Sequence, residues 1–454
     1  MTLPEGWVRA ELSDLVGRDG FIVDGDWVES RDQDPNGEVR LTQLADIGDE
    51  CFRDRSARFL TRSKTVELRC TYLAPSDVLI ARMPDPLGRA CVFPQMQRPC
   101  VSVVDVCIVR TGVNGVDPRW LMFAMNAPAT RRSIEAQQQG TTRKRIAKSR
   151  LLELALPLPP LTEQRRIVES LETHFTRLDA AVATLERVRA KLKRYRAAVL
   201  QAAFEGRLGA AVGTKKWEQV TLGDIAEVKG GLTKGKRRGR GERIRTVPYL
   251  RVANVQRGHL DLSEMKVIEA TEAEIGQLRL RDGDVLFNEG GDRDKLGRGW
   301  VWRDQIAECI HQNHVFRARL MRSGTDPRFI SWYGNSVAQG YFLREGKQTT
   351  NLASINLRVL KSLPIPLPSP AEQRRVVDEI DSALSICDAA ETIVDAARRR
   401  AERLRESLLR DAFGGRLVPQ DPRDEPASVL LDRIRRERAA ETSAPKKRPA
   451  RSRR

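Results

Sequence analysis

The phrase LPPLTEQRRIV occupies residues 158–168, and LPSPAEQRRVV occupies 367–377. Each stands just before a long charged run. Sliding the chain along itself by 209 positions aligns 154–208 with 363–417 without a gap, pairing Pro157 with Pro366, Glu163 with Glu372, Gln164 with Gln373, Arg165 with Arg374 and Asp179 with Asp388. At the far end AAFEGRL (202–208) falls on DAFGGRL (411–417). An internal repeat constrains the fold more than composition does, because both copies must take the same structure. The segments before each phrase match more weakly. Trp7, Leu12, Asp14 and Leu15 correspond to Trp217, Leu222, Asp224 and Ile225, and LADI (44–47) to VANV (252–255). SDVLI (76–80) matches GDVLF (283–287), LGRACVF (87–93) matches LGRGWVW (296–302), and DPRWL (117–121) matches DPRFI (326–330). The chain reads as a variable globular segment and a helix, written twice, plus a tail.

The variable segments carry short β-like runs, CVSVVDVCIV (100–109) and DVLF (284–287), and short helical patterns such as AEIGQLRL (273–280). That mixture predicts an α+β fold. After each phrase the apolar positions recur in threes and fours: Leu171, Phe175, Leu178, Val182, Leu185, Val188, Leu192, Tyr195, Val199 and Ala203 in the first copy. This is a coiled-coil stripe. The second copy offers Ile380, Leu384, Cys387, Glu391, Val394, Ala397, Ala401, Leu404, Leu408 and Ala412, a poorer stripe suited to packing against the bulkier one from Phe175 to Tyr195. Thr162 is expected to cap the first helix, and Gly206 and Gly415 to end the two. The second variable segment follows the end of helix one and precedes the start of helix two, so paired helices must be antiparallel. At 1.5 Å per residue, about 44 residues span roughly 65 Å, giving an expected dumbbell with a helical ruler. The expected division is 1–155 and 217–362 as recognition domains, 156–208 and 363–417 as the helical repeats, 209–216 as linker and 418–454 as an extension with a basic tail.

The chain has 454 residues, 40% of them apolar and 31% charged, with a net charge of +18 and a pI near 10.0. Such a surplus favours a polyanionic partner, against the plainer reading of a solvated surface. Seven cysteines, with no Cys-x-x-Cys pair and no apolar leader, predict reduced thiols and a cytoplasmic protein. No apolar run approaches the roughly 20 residues that span a bilayer, so no membrane partner is expected.

The densest basic stretch inside a variable segment is KGGLTKGKRRGRGERIR (229–245), with Lys234, Lys236, Arg237, Arg238, Arg240, Arg243 and Arg245 able to follow a phosphate backbone. GGLTKGKR imitates a phosphate loop, but Arg237 stands where the Mg²⁺-binding Ser or Thr belongs. In the first copy Arg53, Arg55, Arg58, Arg62 and Lys64 interleave with Phe52 and Phe59, whose helical spacing favours core over base stacking. Just before the phrases, Arg143, Lys144, Arg145 and Lys148 match Lys347, Gln348 and Asn351 in place. Cations there can contact guanine or phosphate, and Gln or Asn can pair adenine bidentately. The tail APKKRPARSRR (444–454) adds nonspecific attraction to DNA.

Catalytic signals are missing. There is no Asn-Pro-Pro-aromatic or Asp-Pro-Pro-aromatic methyltransferase motif, and no intact phosphate loop. Cys309, His311 and His314 have no second ligand cluster, so zinc is not expected. Asp284 and Glu289 suggest a nuclease centre, but the first copy has Asp77 and Arg82 at that place. No catalytic residue and no cofactor are assigned to the chain.

Over residues 1–440 the pattern resembles the DNA specificity subunit of Type I restriction–modification systems. The resemblance rests on LPIPLPSPAEQRR with LPLPPLTEQRR, the AF-x-GRL helix ends, GDVLF with LGR, QNHVFR (312–317) and LVPQDPRDEPASVLLDRIRRER (417–438). It implies two tandem target recognition domains reading the halves of a split site in double-stranded DNA, held by a repeated helical framework. It also implies two methyltransferase subunits and further motor-nuclease subunits as partners, with S-adenosylmethionine and ATP with Mg²⁺ bound by them. The phrase residues Glu163, Gln164, Arg165, Arg166, Glu372, Gln373, Arg374 and Arg375 are the expected partner contacts, the plainer reading being that they cap a helix. The family's second variable segment opens with Gly-Gly-Thr-Pro, whereas this chain has GGLTKG, and VGRDGFIVDGDW in the first copy is more divergent still. Two rival readings are a coiled-coil adaptor without DNA binding and a nuclease with an unrecognised site.

Overall fold

The computed structural model describes residues 3–84, 86–138, 144–208, 217–235, 242–291, 295–348 and 353–443. Two compact units emerge, Met1–Thr184 with Ala397–Arg454, and Leu185–Ala396.

In the first unit a four-stranded antiparallel sheet runs in the order Phe21–Asp24, Val106–Arg110, Val78–Ala81 and Ala90–Val92. All four residues of Val78–Ala81 are buried because both faces of the strand are covered. Val78 and Ile80 pack with Trp120, Leu121 and Ala124 of the helix Pro118–Asn126, and Leu79 and Ala81 with Phe93 and Ile108. Asp117 caps that helix and Pro118 opens it, which is the position where proline's missing N–H costs nothing. A second sheet places Cys100–Ser102 parallel to Val39–Thr42, with Phe59–Leu60 on the other side. The run 100–109 is therefore two strands in two sheets, divided by a turn at 103–105. The segment leading to the phrase, Ala155–Leu158, pairs antiparallel with Val8–Glu11.

The second unit repeats this plan. Ala226–Lys229, Val315–Leu320 and Val285–Asn288 form one antiparallel sheet. In the other, Ile310–His311 runs parallel to Ile244–Leu250, which also pairs with Lys266–Thr271. Glu218–Thr221 pairs with Pro364–Leu367 as its counterpart does. The expected helical pattern at 273–280 is the helix Glu272–Leu278, opened by a reciprocal capping box between Thr271 and Glu274.

Each phrase opens a 44-residue helix, Leu161–Phe204 and Pro370–Phe413. Both stop at a glycine with φ of +68°, Gly206 and Gly415. Arg207 N–H bonds the Ala202 carbonyl at 2.9 Å and Arg416 N–H the Asp411 carbonyl at 2.8 Å, the same left-handed cap in both copies. The first helix starts one residue before Thr162, whose hydroxyl instead donates to Asp424 at 2.6 Å. Thr162 is thus not the cap; Pro160 precedes the helix, and in the second copy Ser369 does.

Within the first unit, Ile167, Val168, Leu171 and Phe175 share a core with Leu409 and Ala412 of the second helix. Within the second, Val376, Val377, Ile380 and Leu384 share a core with Ala203 and Phe204 of the first. The start of each helix therefore packs against the end of the other, which makes the pair antiparallel. The middle of the stripe is less well covered than its spacing predicts: Val188 is 38% and Tyr195 52% exposed. Ile386 and Ile393, seven residues apart, are 66% and 69% exposed.

Candidate nucleic-acid interface

The two units share a set of side-chain bonds that fix a common frame. Arg110 grips buried Asp77 with both nitrogens at 2.7 Å, and Arg319 grips buried Asp284 at 2.8 and 2.7 Å. Asn126 bonds both N–H and C=O of Ala90, and Asn335 does the same to Gly299, the aligned position. Asp46 and Asn254, also aligned, each accept from the backbone three residues earlier and then hold a following loop. Asp46 takes Arg55 N–H at 2.6 Å and Ser56 N–H at 2.7 Å. Asn254 instead donates to the carbonyls of Asp261 at 2.9 Å and Glu264 at 3.1 Å. One frame thus carries two loops of different course.

The loop on Asp46 places Arg53, Arg55 and Arg58 in solvent, with Arg58 bonded to Gln33 at 2.8 Å. It is not helical, as the spacing of Phe52 and Phe59 suggested. Phe52 packs edge-on against Phe93, and Phe59 lies in a strand under the Arg98 guanidinium. Arg62 is exposed at the start of a short helix, while Lys64 is held by Glu67 at 2.8 Å, which raises its pKa. Lys144 and Arg145 are exposed just before buried Ile146, and Lys148 is half-buried. In the second unit Lys234, Arg243 and Lys347 are exposed. Arg245 is clamped by Glu308 at 2.6 Å and Glu272 at 2.5 Å, which drive its pKa up. Gln348 lies in a strand paired with Ala353. Arg143, Lys236, Arg237, Arg238, Arg240, Asn351 and the tail 444–454 lie outside the described residues.

The phrase residues divide sharply. Gln164 is buried, accepts Asp117 N–H at 3.1 Å and donates to the Pro159 carbonyl at 3.0 Å. Gln373 does the same with Asp326 and Pro368, both at 2.8 Å. Glu163 is buried and accepts from the Trp7 indole at 2.9 Å; burial pushes its carboxyl pKa up against that bond. Arg166 reaches Asp424 at 2.5 Å, and Arg375 reaches Glu372, Glu379 and the Leu208 carbonyl. Each arginine thus ties its own helix to the segment leaving the other helix. Only Arg165 and Arg374 face solvent without such a tie. Sequence spacing gave no sign that three of the eight side chains are buried.

His311 is buried, with Nδ1 at 2.6 Å from the Val315 carbonyl, and burial lowers its pKa to about 4. His314 pairs with Glu289 at 2.5 Å. Asp284 is committed to Arg319, and Glu289 to His314. Among the described residues no group of three or more His, Cys, Asp or Glu could hold a metal ion. All seven cysteines are free, and burial pushes Cys91, Cys107 and Cys309 up to about 12, which keeps them as unreactive thiols. No helix among the described residues is long and apolar enough to cross a membrane.

Two features were missed in the sequence. One is the helix Ala427–Ser443, which docks on the first unit through Leu431, an Arg435–Asp14 pair at 2.6 Å and an Asn114–Glu437 bond at 3.0 Å. The other is Trp27, 71% exposed in the acidic run DGDWVES. A large aromatic with Gly25 and Glu29 at its strand-spaced positions was the available signal.

The family model described as the Type I restriction modification DNA specificity domain matches residues 105–190 and 214–393. The chain belongs to that family. Its role is DNA-sequence specificity without catalysis, so the adaptor and nuclease readings are set aside. It is 29% identical over 307 residues to the Type I restriction enzyme EcoKI specificity subunit of Escherichia coli K12, covering 63% of this chain and 64% of that one. The EcoBI specificity subunit of Escherichia coli is 28% identical over 361 residues, 74% of this chain and 75% of that one. A solved structure from work on the assembly and conformational transition of the type I R-M system gives a TM-score of 0.68 at 19% identity, covering 92% of this chain and 100% of that one. The HsdS subunit from Thermoanaerobacter tengcongensis gives 0.55 at 17%, covering 92% and 98%. These likenesses establish the fold, two recognition domains with two long helices.

Proposed function

We propose that this specificity subunit reads a split, asymmetric sequence in double-stranded DNA, residues 1–155 taking one half and 217–362 the other. Two methyltransferase subunits then methylate an adenine within it, and motor-nuclease subunits restrict DNA that lacks the mark. S-adenosylmethionine and ATP with Mg²⁺ belong to those partners, and the complex works in the cytoplasm. The observation that carries the reading is the frame itself. The same Asp–Arg, Asn–backbone and Gln–backbone bonds recur in both units, while the loops they hold differ in course and residues. A repeated frame with unlike loops suits two unlike half-sites. Partner binding is supported by the exposed apolar positions Val188, Tyr195, Ile386 and Ile393, and by Arg165 and Arg374 standing outward at equivalent places. Expressing the chain with its methyltransferase in an unmethylated host, and mapping modified adenines genome-wide, tests this. One split sequence with unlike halves is expected. Methylation that is identical without the chain would overturn it.

A further inference from the structure

Gly25 and Gly231 occupy the same place in the two units, although the sequence around them barely matches. A side chain on Gly25 would meet the Val103 carbonyl at 2.2 Å and that of Ser102 at 2.6 Å. One on Gly231 would meet the His311 carbonyl at 2.0 Å and that of Gln312 at 2.5 Å. Ser102 and Val103 align with His311 and Gln312 at the shift of the repeat. The next residues, Asp26 and Leu232, each form a parallel bridge, to Val103 and Gln312 respectively. Trp27 and Val28 therefore correspond to Thr233 and Lys234, at the root of the most basic stretch of the second unit. The first unit has no cations at that root. It has Trp27.

The stem below Trp27 is fixed. Gly25 N–H bonds the Val106 carbonyl at 2.8 Å, and Asp26 N–H the Ser102 carbonyl at 2.7 Å. Asp26 in turn accepts Thr71 N–H at 3.0 Å. The exposed indole is thus presented on a pinned backbone, over a cleft of about 380 Å³ lined also by Gln43, Ala45 and Val104. Gln43 and Ala45 also line the neighbouring groove of about 440 Å³, which holds Gln33, Arg55 and Arg58. One continuous face therefore joins an outward aromatic, two amide side chains and two arginines with the carboxylates of Asp26, Asp34 and Asp105. A free apolar surface gives no reason to place an indole in solvent beside such a face, whereas a nucleic-acid base supplies a π-face or a thymine methyl for it.

We infer that Trp27 is a specificity-determining residue of the first recognition domain, packing on a base of its half-site while Arg55 and Arg58 engage guanine or phosphate beside it. This rests on the DNA-reading function proposed above. The contact carries no charge, so it adds to specific binding and leaves the salt slope unchanged.

The test uses the full chain with its methyltransferase, comparing Trp27→Ala and Trp27→Phe with the unaltered complex. Trp27→Ala is expected to cut methylation of the cognate sequence about tenfold, or to make one position of a single half-site degenerate. The other half-site should stay as it was, with an unchanged unfolding midpoint, and Trp27→Phe should restore most of the loss. The same sequence methylated at the same rate by Trp27→Ala would overturn the inference and leave the proposed function standing. So would a loss that tracks a lowered unfolding midpoint, because that assigns Trp27 to the fold. An unaltered complex that methylates no split sequence would overturn both.

Discussion

Arg405 on the second long helix donates to Asp179 on the first at 2.8 Å, and their copies, Arg196 on the first and Asp388 on the second, form the same pair. The roles of the two helices exchange between the units. Such exchange is what an isologous antiparallel pairing requires, here within one chain. Arg405 also lies 4.0 Å over the Phe175 ring and bonds Glu50, while Arg196 bonds Glu391. The repeat is symmetric in its frame and unlike in what surrounds it.

The buried glutamines should matter for stability more than for partner binding. Gln164→Ala removes the acceptor of Asp117 N–H and the donor to Pro159. Leaving buried backbone groups unpaired costs about 1–3 kcal/mol. Gln373→Ala should cost a similar amount in the other unit. Denaturant unfolding measures both. Arg165→Ala and Arg374→Ala, on exposed side chains, should leave the midpoint unchanged and reduce copurification of the methyltransferase.

Acid should weaken the second unit through His311. Its folded pKa of about 4 lies below the ordinary value of 6.5, so the unfolded chain binds the proton more readily. Stability from this group is complete above pH 6.5 and is lost as pH falls toward 4, by on the order of 3 kcal/mol. Other charges facing the ring, Arg317 and Arg319, oppose protonation in the same direction. Unfolding of His311→Asn followed from pH 7.5 to 4.5 should show a flatter slope than the natural chain.

Charge should set nonspecific affinity. Converting Lys236, Arg237 and Arg238 to Gln, or Arg53, Arg55 and Arg58 to Gln, should weaken binding to all sequences. Each lost phosphate contact should lower the slope of log affinity against log salt by about 0.9. Binding titrations across salt concentrations check this; an unchanged slope would remove those residues from the phosphate path.

Much of the frame was legible because the repeat, the helix-ending glycines and the stripe are local patterns. The antiparallel sense followed from connectivity alone. The burial of Gln164 was not legible, because its partner Asp117 lies 47 residues away and nothing local announces the approach. For the same reason Thr162 passed for a cap: its hydroxyl answers to Asp424, 262 residues on. CVSVVDVCIV read as one strand because alternation does not reveal a turn that sends its halves to different sheets. The place of Trp27 was not legible, because its match to Thr233 rests on Gly25 and Gly231 meeting equivalent carbonyls and not on local sequence.

The helices are the shared part of the design, and their length should set the gap in the recognised sequence. Removing four residues from each of Leu161–Phe204 and Pro370–Phe413 shortens each by about 6 Å, close to two base pairs at about 3.4 Å each. The decisive measurement is the methylated sequence in a strain carrying that variant with its methyltransferase. The two half-sites should be unchanged and the gap between them shorter by about two base pairs. Methylation at the original gap would contradict the account.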